Sequence, residues 1–394
     1  MEAEQVATVD TVVADTVVAD TVIVWAGLAG LYALYRLRQQ GLTVVVAEAG
    51  RDVGGVWFWN RYPGARCDVE SMQYSYSFSG ALDAAAIRYW KDDYPAHRAR
   101  AREVGTFYEF STKGAMEVDE PERAAEYARR WHEGGVNFVH AFRDIYLDQA
   151  ANDTAAEFVR ARIRELVHDP AVAERLSPRD HPLGTKRICV GSDYYETFNR
   201  PNVTLVSIRD EPIERITTGG VQTSTAEYAA DTLVLATGYD ALTGALLRID
   251  IRGRDGLPLR EKWADGPRNY LGLMVQGFPN LFIVTGPGSP SVLVNMVIGI
   301  EQHIDWIADC IAHMDQTGRT TIEPEAEAEA SWVRHVNDEA DLTLFPRGAS
   351  WYMGANIPGK PRVFMPYVGG IGRYRKRCDA VAAQGYAGFV MTGA

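Results

Sequence analysis

Thr21-Val-Ile-Val-Trp25-Ala-Gly27-Leu-Ala-Gly30-Leu-Tyr-Ala-Leu-Tyr-Arg36, running on to Val44-Val-Val-Ala-Glu48, is the stretch that decides the fold. Thr21 to Val24 are all β-branched and favour a short buried strand. Leu31, Leu34, Tyr35 and Leu37 then recur near helical spacing, and Gly41 stops that helix. Val44 to Ala47 form a second apolar strand, with Glu48 at its end. Strand, glycine turn, helix, strand and terminal acid open a dinucleotide-binding α/β fold. In a Gly-x-Gly-x-x-Gly loop the first glycine makes the turn and the second admits the pyrophosphate. The third lets helix and strand pack closely. Gly27 and Gly30 fill the second and third places, but Trp25 stands in the first. A tryptophan takes positive φ only at a cost. Glu48 is placed to accept from a ribose hydroxyl.

Before this unit the sequence stutters, with Asp10-Thr-Val-Val-Ala, Asp15-Thr-Val-Val-Ala and Asp20-Thr-Val-Ile-Val. A period of five suits neither helix nor strand, so residues 1–19 read as a leader and only the third copy as a core strand. After Ser79-Gly80 the composition becomes helical. Glu120-Pro121-Glu122 starts one helix, Thr154 to Val167 carries Phe158, Ile163 and Leu166 on one stripe, and Asp169-Pro170 starts another. Strand signals return at Val203 to Ser207 and at Thr232 to Gly238, and Glu301 to Met314 reads as a helix. Alternating Glu and Ala over Glu323 to Glu329 reads as a solvated helix face. The expected organisation is a first dinucleotide-fold part over 20–79, a helical segment over 80–185, and a second part with a mixed carboxyl-terminal segment over 186–394.

Composition narrows the function classes. The chain has 394 residues, 46% hydrophobic and 23% charged, which is globular and not disordered. A net charge of −12 without a basic patch argues against nucleic acid or an anionic membrane as partner. The first basic residue is Arg36, so a charged secretory start is missing, and Val292 to Ile300 is too short to span a bilayer. Four scattered cysteines, Cys67, Cys189, Cys310 and Cys378, suit a reducing cytoplasm better than a disulfide framework. The histidines show no metal-binding spacing, and no Gly-x-Ser-x-Gly elbow marks a hydrolase.

One loop is unusual: Gly54-Gly-Val-Trp-Phe-Trp-Asn-Arg-Tyr-Pro-Gly-Ala-Arg66-Cys-Asp68 crowds aromatics, glycines and charges together. With it go His181-Pro-Leu-Gly-Thr-Lys-Arg187, Asp193-Tyr-Tyr-Glu-Thr-Phe-Asn-Arg200, Leu235-Ala-Thr-Gly-Tyr-Asp240, Gly277-Phe-Pro-Asn-Leu281, Gly286-Pro-Gly-Ser-Pro290 and Trp351-Tyr-Met-Gly-Ala-Asn-Ile-Pro-Gly-Lys360. In these blocks and their order the chain resembles the Baeyer–Villiger monooxygenases, flavoproteins of the cyclohexanone and phenylacetone type, over nearly everything from Asp20 onward.

The resemblance implies FAD as cofactor, a ketone as substrate and NADPH as reductant. It implies that Glu48 holds the adenosine ribose, and that Val56, Trp57, Phe58, Trp59, Asp68, Tyr74 and Met296 line the flavin. Lys186 matches the contact to the NADPH 2′-phosphate and Trp351 the contact to its nicotinamide end. Arg187 matches the catalytic arginine beside the flavin, with Asp68 as its acidic partner. Such a guanidinium never loses its charge, and it stabilises the negative charge that builds on oxygen as a carbonyl is attacked.

The chain also departs from the family. The fingerprint Phe-x-Gly-x-x-x-His-x-x-x-Trp and a second dinucleotide motif are both missing from the sequence. After Tyr76 to Ser79 it passes straight to helical sequence, skipping on the order of 100–150 residues, about a domain. The bed for NADPH and strands that complete the FAD sheet lie in that stretch, so the α/β fold is expected to be incomplete. Three readings follow: a monooxygenase impaired in reduction or supplied by a separate reductase, a non-redox enzyme or small-molecule-binding protein reusing the cavity, and an inactive truncated homologue.

Overall fold

The computed structural model describes residues 18–70, 73–77 and 94–393. The first copy of the repeat, the second as far as Val17, the join at Ser79 and the start of the helical segment lie outside the described residues. The chain forms two compact units that part between Ala65 and Arg66.

The first unit is the βαβ element read from the sequence. Strand β1 (Thr21–Val24) pairs in parallel with β2 (Val44–Ala47), Thr21 opposite Val44. Helix α1 (Leu28–Gln39) joins them, anchored by buried Tyr32 and Leu37. Tyr35, expected on the apolar stripe, faces out instead. Among the described residues β1 has β2 as its one partner, and Val22 and Val24 are exposed.

The second unit begins with helices α2 (Tyr94–Val104), α3 (Glu120–Glu133) and α4 (Gln149–Leu166). Asp119 caps α3 by accepting from the Glu122 N–H at 2.9 Å, and Asp148 caps α4 from the Ala151 N–H at 2.8 Å. Such caps satisfy amides that the first helical turn leaves open. Between α3 and α4, buried Tyr127, Phe138, Phe142 and Ile145 pack together. An antiparallel meander follows, β3 (Ile213–Ile216), β4 (Gly220–Thr223) and β5 (Glu227–Ala229).

The main core lies around α5 (Met296–Gln316), with α6 (Ala326–Asp341), α7 (Ile371–Ala383) and the antiparallel pair β6 (Thr321–Pro324) and β7 (Phe389–Thr392). Leu271, Leu273, Met274, Trp306, Trp332 and Tyr374 are buried there. Both core indoles are satisfied: Trp306 donates to the Cys378 carbonyl at 3.1 Å and Trp332 to the Gly288 carbonyl at 3.0 Å.

Two expectations fail and a third holds only in part. Val203 to Ser207 and Thr232 to Gly238 are irregular rather than strands. A strand needs a neighbour for its backbone groups, and neither segment has a paired strand among the described residues. The Glu/Ala stretch is a solvated face only in its middle, where Glu325 to Glu327 are exposed. Glu323 lies in β6 and Glu329 is 2% exposed. Glu329 accepts from the Gln276 N–H and meets the Lys262 Nζ, both at 2.9 Å, which is why a carboxylate is buried there.

Candidate active site

In the second unit Asp68 and Arg187, 119 residues apart in sequence, are in direct contact. The Arg187 Nε and Nη2 both reach Asp68 Oδ2 at 2.7 Å, and Nη1 donates to the Val292 carbonyl at 2.8 Å. This fixes the plane of the guanidinium, and Tyr352 competes for the N–H groups that remain. Burial works against the Arg187 charge, but Asp68 and then Tyr352 outweigh it, so its pKa lies above the ordinary arginine value.

The frame behind this pair is polar and fully tied. Asn295 caps α5 through the Val297 N–H at 3.0 Å, and its amide donates to the Gln73 carbonyl at 2.6 Å. The Gln73 side chain accepts from the Phe107 N–H at 3.0 Å, and Tyr108 donates to Glu70 at 2.9 Å. The segment that carries Asp68, the stretch 105–108 and the start of α5 are thus locked together. Gly105 is required here: it has φ +86°, and a Cβ on it would come within 2.7 Å of Val294.

Arg187 stands on the wall of a cavity of about 260 Å³, otherwise lined mainly by apolar groups such as Val69, Phe110, Val139, Leu293 and Phe345. Tyr352, buried beside the guanidinium, packs on Trp351 with ring centroids 4.2 Å apart. Met296 is the first residue of α5, next to Asn295 on the wall. Lys186 precedes Arg187 and lies near enough for its charge to help hold Asp180 well below the ordinary carboxylate range, after the larger effects of hydrogen bonds from Arg209 and His181. Two further sequence blocks meet where Lys360 Nζ contacts Asp240 at 2.5 Å and Asn356 donates to the Tyr239 carbonyl at 2.9 Å.

The sequence reading missed Tyr352 and His140. Tyr352 was legible as the neighbour of Trp351 in a quoted block. His140 lies at the end of a 3₁₀ turn (Gly135–His140) and had no motif to signal it.

In the first unit the turn keeps glycine geometry without its first glycine. Trp25 adopts φ +83° and is 43% exposed. Gly30 is indispensable, since a Cβ there would lie 1.9 Å from the Trp25 carbonyl oxygen. Gly27 sits at the start of α1, whose first turn has no side-chain cap and no acid, leaving its amides open to an anion. Glu48 accepts from the Ala26 N–H at 2.6 Å and the Gly50 N–H at 2.7 Å, which hold its pKa below the ordinary carboxylate value. Val56, Trp57 and Trp59 are exposed, while Phe58 packs under the Arg61 guanidinium at 4.7 Å.

Comparison with known proteins identifies the chain. A family model for NAD(P)-binding Rossmann-like domains matches residues 23–90. A Baeyer–Villiger monooxygenase of Pseudooceanicola batsensis is 30% identical over 93% of this chain and 95% of that protein. The chain belongs to the Baeyer–Villiger monooxygenases. An acetone monooxygenase (methyl acetate-forming) of a Gordonia species is also 30% identical, over 94% of this chain and 98% of that protein. The solved structure of an oxidized steroid monooxygenase bound to NADP aligns with a TM-score of 0.89 and 38% identity, over 95% of this chain and 100% of that one.

This Baeyer–Villiger chain is shorter than its relatives from within. The Pseudooceanicola alignment extends over 523 positions against 394 residues here, so at least 129 positions have no counterpart in this chain. No helix among the described residues is long and apolar enough to cross a membrane.

Proposed function

We propose that this chain binds FAD and inserts an oxygen atom beside the carbonyl of a small ketone, with NADPH-driven reduction impaired. The observation that carries the reading is Arg187, clamped by Asp68 and the Val292 carbonyl on the wall of a mainly apolar cavity. At about 260 Å³ the cavity is close to the lower end of the range for ligand pockets, roughly 300 Å³.

The residues present fit FAD. Gly27, Gly30 and the uncapped start of α1 suit a diphosphate, and Glu48 keeps acceptor capacity for a ribose hydroxyl. Val56 to Trp59, Tyr74 and Met296 are assigned to the flavin. When bound, the reduced flavin supplies the activated oxygen. Arg187 holds the ketone oxygen and stabilises the negative charge that develops on it during attack. Asp68 keeps the guanidinium in register, and the apolar wall excludes water. Lys186 and Trp351 are assigned to NADPH, but positioning is the protein's main contribution to cofactor chemistry. At least 129 positions of family sequence are gone, and with them much of that positioning. The join between the family blocks is placed near Ser79. Reduction by a separate reductase has no support from the relatives.

Addition of FAD to the purified chain tests this. A yellow complex that converts a cyclic ketone to its lactone with dithionite-reduced flavin and oxygen supports it, with NADPH alone giving little bleaching. Rapid stoichiometric bleaching by NADPH would show that the missing stretch matters less than argued. A chain that stays colourless removes the redox reading and favours the inactive homologue, the reading to which exposed Val234 and Leu235 already point.

A further inference from the structure

The wall that carries Arg187 also carries His140, and nothing in the oxygen-insertion chemistry uses it. Its ring is packed edge-on against Phe110, centroids 4.2 Å apart, and tilted against Tyr108 at 6.3 Å. These contacts fix the ring plane. Neither ring nitrogen has a hydrogen-bond partner among the described residues, although the imidazole is half-buried on a mainly apolar surface. A polar atom in such a place loses water when a ligand enters and costs free energy unless the ligand replaces the bond.

Burial, then the nearby charges of Arg130 and Arg187, lower the His140 pKa to about 4, so the ring is neutral at physiological pH. A neutral imidazole has one N–H donor and one acceptor nitrogen. Among the polar groups on the cavity wall, Arg187 and His140 are thus anchors of different kind. One is a permanent cation that takes a carbonyl oxygen, and the other is an uncharged group that pairs with a second polar atom.

We propose that His140 is a specificity-determining residue that hydrogen-bonds a second oxygen of the substrate, so that this chain selects oxygenated ketones over plain hydrocarbon ketones. The inference rests on the cavity being the ketone site. Because a hydrocarbon ketone leaves the imidazole unpaired, the discrimination comes as much from rejecting the poorer ligand as from holding the better one.

The test is calorimetric binding of cyclohexanone and cyclohexane-1,4-dione to the FAD-reconstituted chain and to two variants. The wild type should prefer the dione by about five- to tenfold, the worth of one hydrogen bond. His140→Phe should abolish the preference while binding cyclohexanone at least as well. His140→Gln, which keeps a donor, should retain part of it. Nitrogen-15 spectra of the imidazole should shift on adding the dione and not on adding cyclohexanone. If both ketones bind and the preference is missing in the wild type or survives in His140→Phe, this inference falls while the ketone-site reading stands. If neither ketone binds any of the proteins, both fall together.

Discussion

Residues 232–239 and 270–286 are both largely apolar stretches that run into a Thr-Gly pair, and they meet opposite fates. In the first, Val234 is 78% exposed and Leu235 72%. In the second, Leu271 and Leu273 are 0% exposed, set among α5, α6 and α7. Apolar character fixes what a segment would gain from burial, but only a neighbour lets it collect that gain. The second run has its helices; the first has no paired strand among the described residues. Substitutions along the two runs should therefore differ most. Leu273→Ala should cost about 3 kcal/mol in urea unfolding, and Leu235→Ala less than about 0.5. Equal costs would show that 232–239 is buried in solution and that the comparison is wrong.

Acid should attack the well-built region selectively. His303 on α5 accepts from the Thr285 N–H at 2.8 Å, and its other nitrogen lies 2.9 Å from the Tyr374 hydroxyl, which donates to the Leu271 carbonyl at 2.6 Å. This chain of bonds pins the buried run at both ends. Burial lowers the His303 pKa to about 3, far under its ordinary 6.5. The unfolded state takes up a proton below pH 6.5 and the folded state does not, so stability falls as pH drops from 6.5 towards 3. The loss is about 1.4 kcal/mol per pH unit, or about 2 kcal/mol by pH 5. His140 adds to it between 6.5 and about 4. Urea midpoints measured from pH 7.5 to 5 check this, and His303→Gln should flatten the slope even as it lowers overall stability.

How much of this was legible follows the same division. Local signals were read well. Asp119, Asp148 and Asp169 cap helices by bonds that run only a few residues, and β1, α1 and β2 follow from a pattern inside thirty residues. The Asp68–Arg187 contact spans 119 residues and was reached only through the family resemblance, since no spacing rule joins the two. Glu329 was misread because alternating Glu and Ala suits an exposed helix, and its partners Lys262 and Arg268 are some sixty residues away. His140 was invisible for a related reason: one histidine without a motif gains meaning only when folding sets it on the wall shared with Arg187. The failed strands at 203–207 and 232–238 were strand-like in sequence and lacked partners, which local composition does not record.

A smaller effect is expected at Trp25, where the backbone has a glycine shape and the side chain does not. Holding tryptophan at φ +83° costs about 1 kcal/mol, and its partly exposed indole recovers little of that. Trp25→Gly should therefore raise the stability of the turn by up to about 1 kcal/mol, since the strain is already present in the unbound chain. An unchanged urea midpoint would mean that the turn accommodates Trp25 without strain.

The smallest change in stability should come from Leu235→Lys. At 72% exposed, Leu235 has almost no contact to lose, so the unfolding midpoint should move by less than about 0.5 kcal/mol. Its effect belongs to association instead. Val234 and Leu235 present apolar surface along an irregular backbone that has no paired strand among the described residues, and such a segment offers hydrogen-bonding groups to any other chain. A lysine opposes that pairing through charge and desolvation. Light scattering of concentrated protein should fall in the variant while the fold is unchanged. If scattering persists, the open segment is not what draws chains together, and the exposed valines of β1 become the next to substitute.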